Sequence, residues 1–180
     1  MFIIKPISEM EKKNIEYSFE KMEEYKTSII ITSSCIFGYM VDNSHNNIDS
    51  VFIGKYLPDV SIYDYYYRIC KYFMCSTVVF LTALIYMDRL SSKVEINKYT
   101  VHRLIITTFV IAVKYVEDLH YSNAFYAQVG GITLQELNKY ESKILEILEY
   151  ELEISQFDIE KYMEQIIIHP YECPECKEYI

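Results

Sequence analysis

An all-α fold follows from three observations. The chain of 180 residues holds only four Gly and four Pro, too few for the many tight turns of a strand-rich fold. Apolar residues recur at helical spacing, most clearly in two long patterns within residues 100–141. The stretch 76–90 is apolar on nearly all sides, as a helix at the centre of a bundle is. The length suits one ordinary domain with short extensions.

Taken in order, residues 9–40 read as an N-terminal helix. Its first half, 9–26, alternates charges with Met10, Ile15, Tyr17, Phe19 and Met22, and its second half, 28–40, is mostly apolar. Residues 41–60 are rich in Asn, Asp, Ser, Gly and Pro, so they form a loop and the best candidate boundary. Ser61, three residues ahead of Asp64, opens the next helix by satisfying orphan backbone N–H groups. That helix runs to about Phe73, and the apolar one follows from about Ser76 to Leu90 before Ser91-Ser92-Lys93 breaks it.

The third helix of this set begins near Thr100, with Leu104, Ile105, Ile111, Ala112 and Tyr115 on one face. A short helix, about 123–129, ends at Gly130-Gly131. Thr133 and Glu136 have the spacing of a capping box and start a fifth helix reaching about Tyr150. Residues 158–168 can form one more, and the tail HPYECPECKEYI, with two prolines, is expected to be loosely held.

Charge narrows the function. Seventeen Lys and Arg against 26 Asp and Glu leave a net charge of −9. Nucleic acid and anionic membranes both select clustered Lys and Arg, so neither is an expected partner. The five cysteines are odd in number and unevenly spaced, which argues against a disulfide framework and for a reducing compartment, cytosol or nucleus. No secretory signal is expected, because the N-terminus turns polar after a few apolar residues. The longest near-apolar run, 75–87, is shorter than the roughly 20 residues a membrane-spanning helix needs. The 19 Tyr, with abundant Ile and Asn, read as codon bias more than function.

Chemistry-bearing motifs are sparse. His45, His102, His120 and His169 have no metal-ligand spacing and no nearby nucleophile. Cys173 and Cys176 form a lone CxxC, two ligands where structural zinc wants four; a metal-binding tail is the remote alternative, and a solvated reduced tail the plainer one. Gly130-Gly131 lacks the spacing and Lys of a phosphate loop and reads as a tight link. Asp88 and Arg89 read as an intramolecular salt bridge. Two charges stand out. Lys114 follows the run Phe109-Val110-Ile111-Ala112-Val113, and Glu141 interrupts the row Leu134, Leu137, Ile144/Leu145, Leu148, Leu152. Charges are rarely buried without partners. The pair either joins two helices or offers polar groups to another protein, and the two roles are compatible.

LTALIYMDRL (81–90), the segment 100–141 and the following ILEILEYELEI resemble the cyclin box of P/U-type cyclins, the subfamily of the phosphate-pathway cyclin. The IYxDRL, KYxxD, SNAFYAxVGGI and LNxxE motifs occur in order, and the similarity covers roughly 60–162. The resemblance implies a single five-helix cyclin box over 58–162. Residues 1–57 would be an N-terminal helical extension and loop, and 163–180 a helix end and tail. It implies a non-catalytic activating subunit of a cyclin-dependent kinase, with no cofactor and no small-molecule ligand. The third and fifth box helices would dock on the kinase C-helix. Lys114 and Glu141 match the family's interface Lys and Glu. Ile111, Tyr115, Leu145, Tyr150 and Leu152 match its apolar contacts. Asp118 resembles the acidic residue that holds an activation-loop Arg, although Glu117 is adjacent. The MRAIL segment is absent, the region reading PDVSIYDYYYRIC, so docking of RxL substrates is not expected. Fold alone does not fix function, and a cyclin-fold scaffold for a non-kinase protein is the alternative.

Overall fold

The computed structural model describes residues 26–41 and 51–168. Among them are seven helices and no strand: α1 (Lys26–Met40), α2 (Ile62–Phe73), α3 (Thr77–Ser91), α4 (Val101–Val116), α5 (Asn123–Gly130), α6 (Leu134–Ile147) and α7 (Gln156–Ile168). The all-α expectation holds. The first half of the predicted N-terminal helix and the CxxC lie outside the described residues, whereas α1 supplies the apolar half.

Local chemistry sets the boundaries. Ser61 Oγ accepts from the Asp64 N–H at 3.0 Å, capping α2. Thr133 and Glu136 form the full capping box of α6, and those hydrogen bonds hold the Glu136 carboxyl below its ordinary range. Gly131 closes α5 at φ 67°, a left-handed conformation that glycine adopts without a Cβ penalty. Gly130 is needed for a different reason. A Cβ there would come within 2.7 Å of Ile106 Cγ1, so α5 could not sit this close to α4. One start was not anticipated. Ser155 and Asp158 cap each other at the head of α7, two residues before the expected onset.

Helix α4 runs through the middle, packed against α2, α3, α5 and α6. Its expected one-sided apolar face understates its burial, because Thr107 and Thr108 are buried as well. Both hydroxyls donate back into their own helix, Thr107 to the Arg103 carbonyl at 2.7 Å and Thr108 to Leu104 at 2.9 Å. With the hydroxyl satisfied, threonine packs like an apolar residue. Phe109 anchors the core, edge-on to Tyr66 and Phe80 at 5.4 Å and to Phe73 at 5.8 Å. Helix α1 contributes Ile29, Ile36 and Phe37 to the same core.

Tyrosine is structural in this chain as well as abundant. Tyr65 donates to the Gly130 carbonyl at 3.0 Å, Tyr86 to Leu152 at 2.8 Å and Tyr162 to the Asp88 carboxylate at 2.7 Å. Burial raises all three phenols, and the Asp88 charge raises Tyr162 further. Each ring buries apolar area while its hydroxyl ties down a distant segment.

Candidate functional site

At the C-terminal end of α4, Lys114 Nζ meets Glu141 Oε1 of α6 at 2.5 Å. The two side chains stay partly exposed, 29% and 15%. Lys114 has a second reason to sit there, since a cation in the last turn of a helix faces the negative end of its dipole. The carboxylate is fastened from the other side. Asn123 Nδ2, in the first turn of α5, donates to Glu141 Oε2 and to Asn138 Oδ1, both at 2.8 Å. Three helices therefore converge on one carboxylate. Lys114 makes one hydrogen bond here, and its other two N–H donors have no partner among the described residues.

The other predicted residues differ in exposure. Tyr115 is 47% exposed, so it does not complete the buried face of α4 on which its spacing had placed it. Ile111 is buried in the core. Leu145 and Leu152 are partly buried against that core, and Tyr150 is 69% exposed. Backbone hydrogen bonds tie the last three together, from the Tyr150 N–H to the Leu145 carbonyl at 2.9 Å and from the Leu152 N–H to Tyr150 at 3.0 Å. Tyr115 and Leu152 share Tyr86 as a neighbour: Tyr86 donates to the Leu152 carbonyl, and Tyr115 lies near enough to act on its phenol. Asp118 stands apart, exposed in the turn after α4.

A cyclin family model matches residues 4–152, most of the chain. The chain belongs to the cyclin family. Among curated relatives it is 42% identical over 109 residues to cyclin-U4-1 of Arabidopsis thaliana, covering 59% of this chain and 54% of that one. It is 42% identical over 107 residues to cyclin-U3-1 of the same plant, covering 58% and 48%. It is 34% identical over 158 residues to cyclin-P3-1 of Oryza sativa, covering 82% and 63%. The matches thus span about half to three fifths of those relatives' length, and they place this cyclin in the P/U-type branch.

Three features of this cyclin escaped the sequence reading. Asp88 and Arg89 do not pair with each other. The Asp88 carboxylate accepts from Tyr162, while Arg89 donates to the carbonyls of Glu151 at 2.9 Å and Glu153 at 3.0 Å. The fifth box helix ends at Ile147 rather than about Tyr150, because Glu149 and Tyr150 are left-handed at φ 57° and 60°. Two consecutive non-glycine residues there cost roughly 1–2 kcal/mol each. Asn123 is the third. The signal for it was present, since Asn123 and Asn138 are the Asn residues of the SNAF and LNxxE motifs.

Glu117, the neighbour that could have replaced Asp118, is already engaged. Its Oε1 accepts from the Ser76 N–H at 2.9 Å and so closes the start of α3. Among the described residues no helix is long and apolar enough to cross a membrane, and no group of His, Cys, Asp and Glu could hold a metal ion.

Proposed function

We propose that this cyclin is the activating subunit of a cyclin-dependent protein kinase, docked on the kinase C-helix through α4 and α6. The Lys114–Glu141 clasp carries the reading. A pair serving only to join two helices gains nothing from standing at the surface with donors to spare. A pair serving a partner needs both. Glu141 holds Lys114 in place, Asn123 holds Glu141, and the remaining ammonium protons are available to backbone carbonyls of a docked chain. Tyr115, next to Lys114 in the chain, and Tyr150 are exposed aromatic side chains, and Leu145 and Leu152 are partly buried against the core, side chains of the kind that seat a partner helix. Ile111 lies within that core.

The mechanism is a population shift. A surface that fits the kinase with its C-helix turned inward, and fits the outward arrangement poorly, favours the form in which the C-helix Glu meets the catalytic Lys. To move such an equilibrium from 1:99 to 99:1 takes about 10⁴-fold preferential binding. The chain supplies that binding energy and no chemistry. Residues 58–162 are the docking unit, and Asp118, on the side where Glu117 is occupied, is the candidate for an Arg of the activation loop. The cytosol or nucleus, where such kinases work, is the expected location.

Co-purification with the tagged chain should recover a cyclin-dependent kinase. Lys114→Ala and Glu141→Ala should each abolish recovery while the isolated chain stays helical by circular dichroism. Normal kinase recovery by both variants would overturn the interface. Recovery of a stable non-kinase partner alone would establish the scaffold alternative.

A further inference from the structure

The segment that carries Tyr150 and Leu152 is held by a row of donors from one face of α3 and the turn that ends it. Tyr86, Arg89 and Lys93 are spaced three and four residues apart, the spacing that aligns side chains on a helix. Each reaches across to main-chain carbonyls. Lys93 Nζ donates to Ile147 at 3.0 Å and also meets Glu149 Oε1 at 3.1 Å. Arg89 forks onto Glu151 and Glu153, and Tyr86 takes Leu152. Four carbonyls between 147 and 153 are thus accepted into one ladder.

What the ladder holds is strained. Glu149 and Tyr150 are both left-handed with no glycine to ease them. Such a turn persists only where its surroundings over-determine it. The strain has a visible result: Tyr150 projects into solvent with 69% of its surface exposed. A helix ending in glycine would satisfy its carbonyls without displaying an aromatic ring.

We infer that Tyr86, Arg89 and Lys93 are positioning residues that preorganise the 147–153 segment for docking and set its affinity through Tyr150 and Leu152. This rests on the proposed kinase-docking role. The ladder does not touch the partner. It lowers the ordering cost of the anchors that do. Arg89 suits its place because a planar fork reaches two carbonyls at once, which a lysine ammonium does with poorer geometry.

The experiment is a double-mutant cycle on the intact chain with the cyclin-dependent kinase that co-purifies with it. Lys93→Met keeps the apolar stem and removes the donors. It should speed amide exchange at residues 149–152 in the free chain, leave the melting midpoint of the bundle unchanged, and weaken the complex roughly tenfold. Lys93→Arg should restore binding. In a Tyr150→Ala, Leu152→Ala background, Lys93→Met should cost nothing further, because the anchors it positions are gone. Arg89→Ala should follow the same pattern with a larger effect. Unchanged affinity for Lys93→Met, or an equal loss in both backgrounds, overturns the inference. If the anchor double variant binds as well as the parent, the segment does not dock and the inference falls while the kinase reading stands. If the parent binds no such kinase, both fall.

Discussion

Lys114 and Glu141 lie 27 residues apart and meet, whereas Asp88 and Arg89 are neighbours in sequence and do not. The geometry of a helix explains the contrast. Successive side chains point about 100° apart, so adjacent charges on one helix diverge, and those three or four apart, or on facing helices, converge. Asp88 turns inward to Tyr162 of α7 and Arg89 outward to the 151–153 segment. Each of the two ties a different element to α3. The Lys114–Glu141 pair, in contrast, joins two helices and leaves part of its hydrogen-bonding capacity at the surface. Asp88 uses its charge to hold α7 on the bundle, Arg89 to position the 151–153 segment, and the Lys114–Glu141 pair presents charge outward. Substitutions should separate stability from binding at the two places.

The largest effect is expected on the binding side. Truncating either member of a hydrogen-bonded charge pair at an interface costs about 2–5 kcal/mol, so Lys114→Ala or Glu141→Ala should weaken a kinase complex by roughly 30-fold to a few thousand-fold. The same variants should lower the stability of the free chain by about 0–1 kcal/mol, because the pair is partly solvated. Calorimetric binding beside a denaturant titration would separate the two quantities. A large stability loss with intact affinity would reverse the assignment.

Tyr162→Phe tests the opposite site. It strips the Asp88 carboxylate of its hydrogen-bond donor while keeping the ring, and Asp88 Oδ1 is already buried with no partner among the described residues. An unsatisfied buried acceptor costs about 1–3 kcal/mol, so the urea midpoint should fall with kinase affinity unchanged. Loss of affinity at constant stability would mean that α7 is part of the docking surface.

Asn123→Ala is a milder test of the clasp. It releases Glu141 Oε2 and Asn138 together but leaves the Lys114 contact. A net loss of about 0.5–1.5 kcal/mol in binding, a few-fold to roughly tenfold in Kd, is expected. Asn123→Asp would place a second carboxylate against Glu141 and should weaken binding further.

How much of this was legible follows from the same geometry. The starts of α2 and α6 were readable because caps are local: Ser61 with Asp64 and Thr133 with Glu136 act within one turn. The oddity of Lys114 and Glu141 was readable because each breaks an apolar row. That they meet was left open by the pattern, since a contact across 27 residues depends on how α4 crosses α6. The partner of Asp88 was misread because a carboxylate near the core was expected to need a cation, and a distant tyrosine hydroxyl serves instead. The turn at Glu149 and Tyr150 was invisible for a different reason. Left-handed backbone is signalled by Gly or Asn, and here tertiary hydrogen bonds from Arg89 and Lys93 impose it on residues that do not prefer it.

The smallest effect concerns pH and a histidine far from the clasp. His102 is buried, with Nε2 3.1 Å from the Val60 carbonyl and its ring edge-on to Tyr65 at 4.8 Å. A carbonyl only accepts, so Nε2 carries the proton and donates, which leaves Nδ1 unprotonated and without a hydrogen-bond partner among the described residues. Burial pushes the imidazole below its ordinary value of 6.5, the Val60 and Ser61 backbone contacts oppose this, and the nearby Arg103 and Arg68 guanidiniums add to the depression. Protonation would place a further positive charge in a buried site beside two cations. The unfolded chain therefore takes up a proton near pH 6.5 that the folded chain refuses. Stability is fully present above that pH and declines as pH falls from there toward the folded value. Urea midpoints measured between pH 7.5 and 5.5 should show this slope, and His102→Gln, which keeps an N–H donor for Val60 and cannot ionise, should flatten it. An unchanged slope in that variant would move the pH sensitivity to other groups and leave His102 a neutral packing residue.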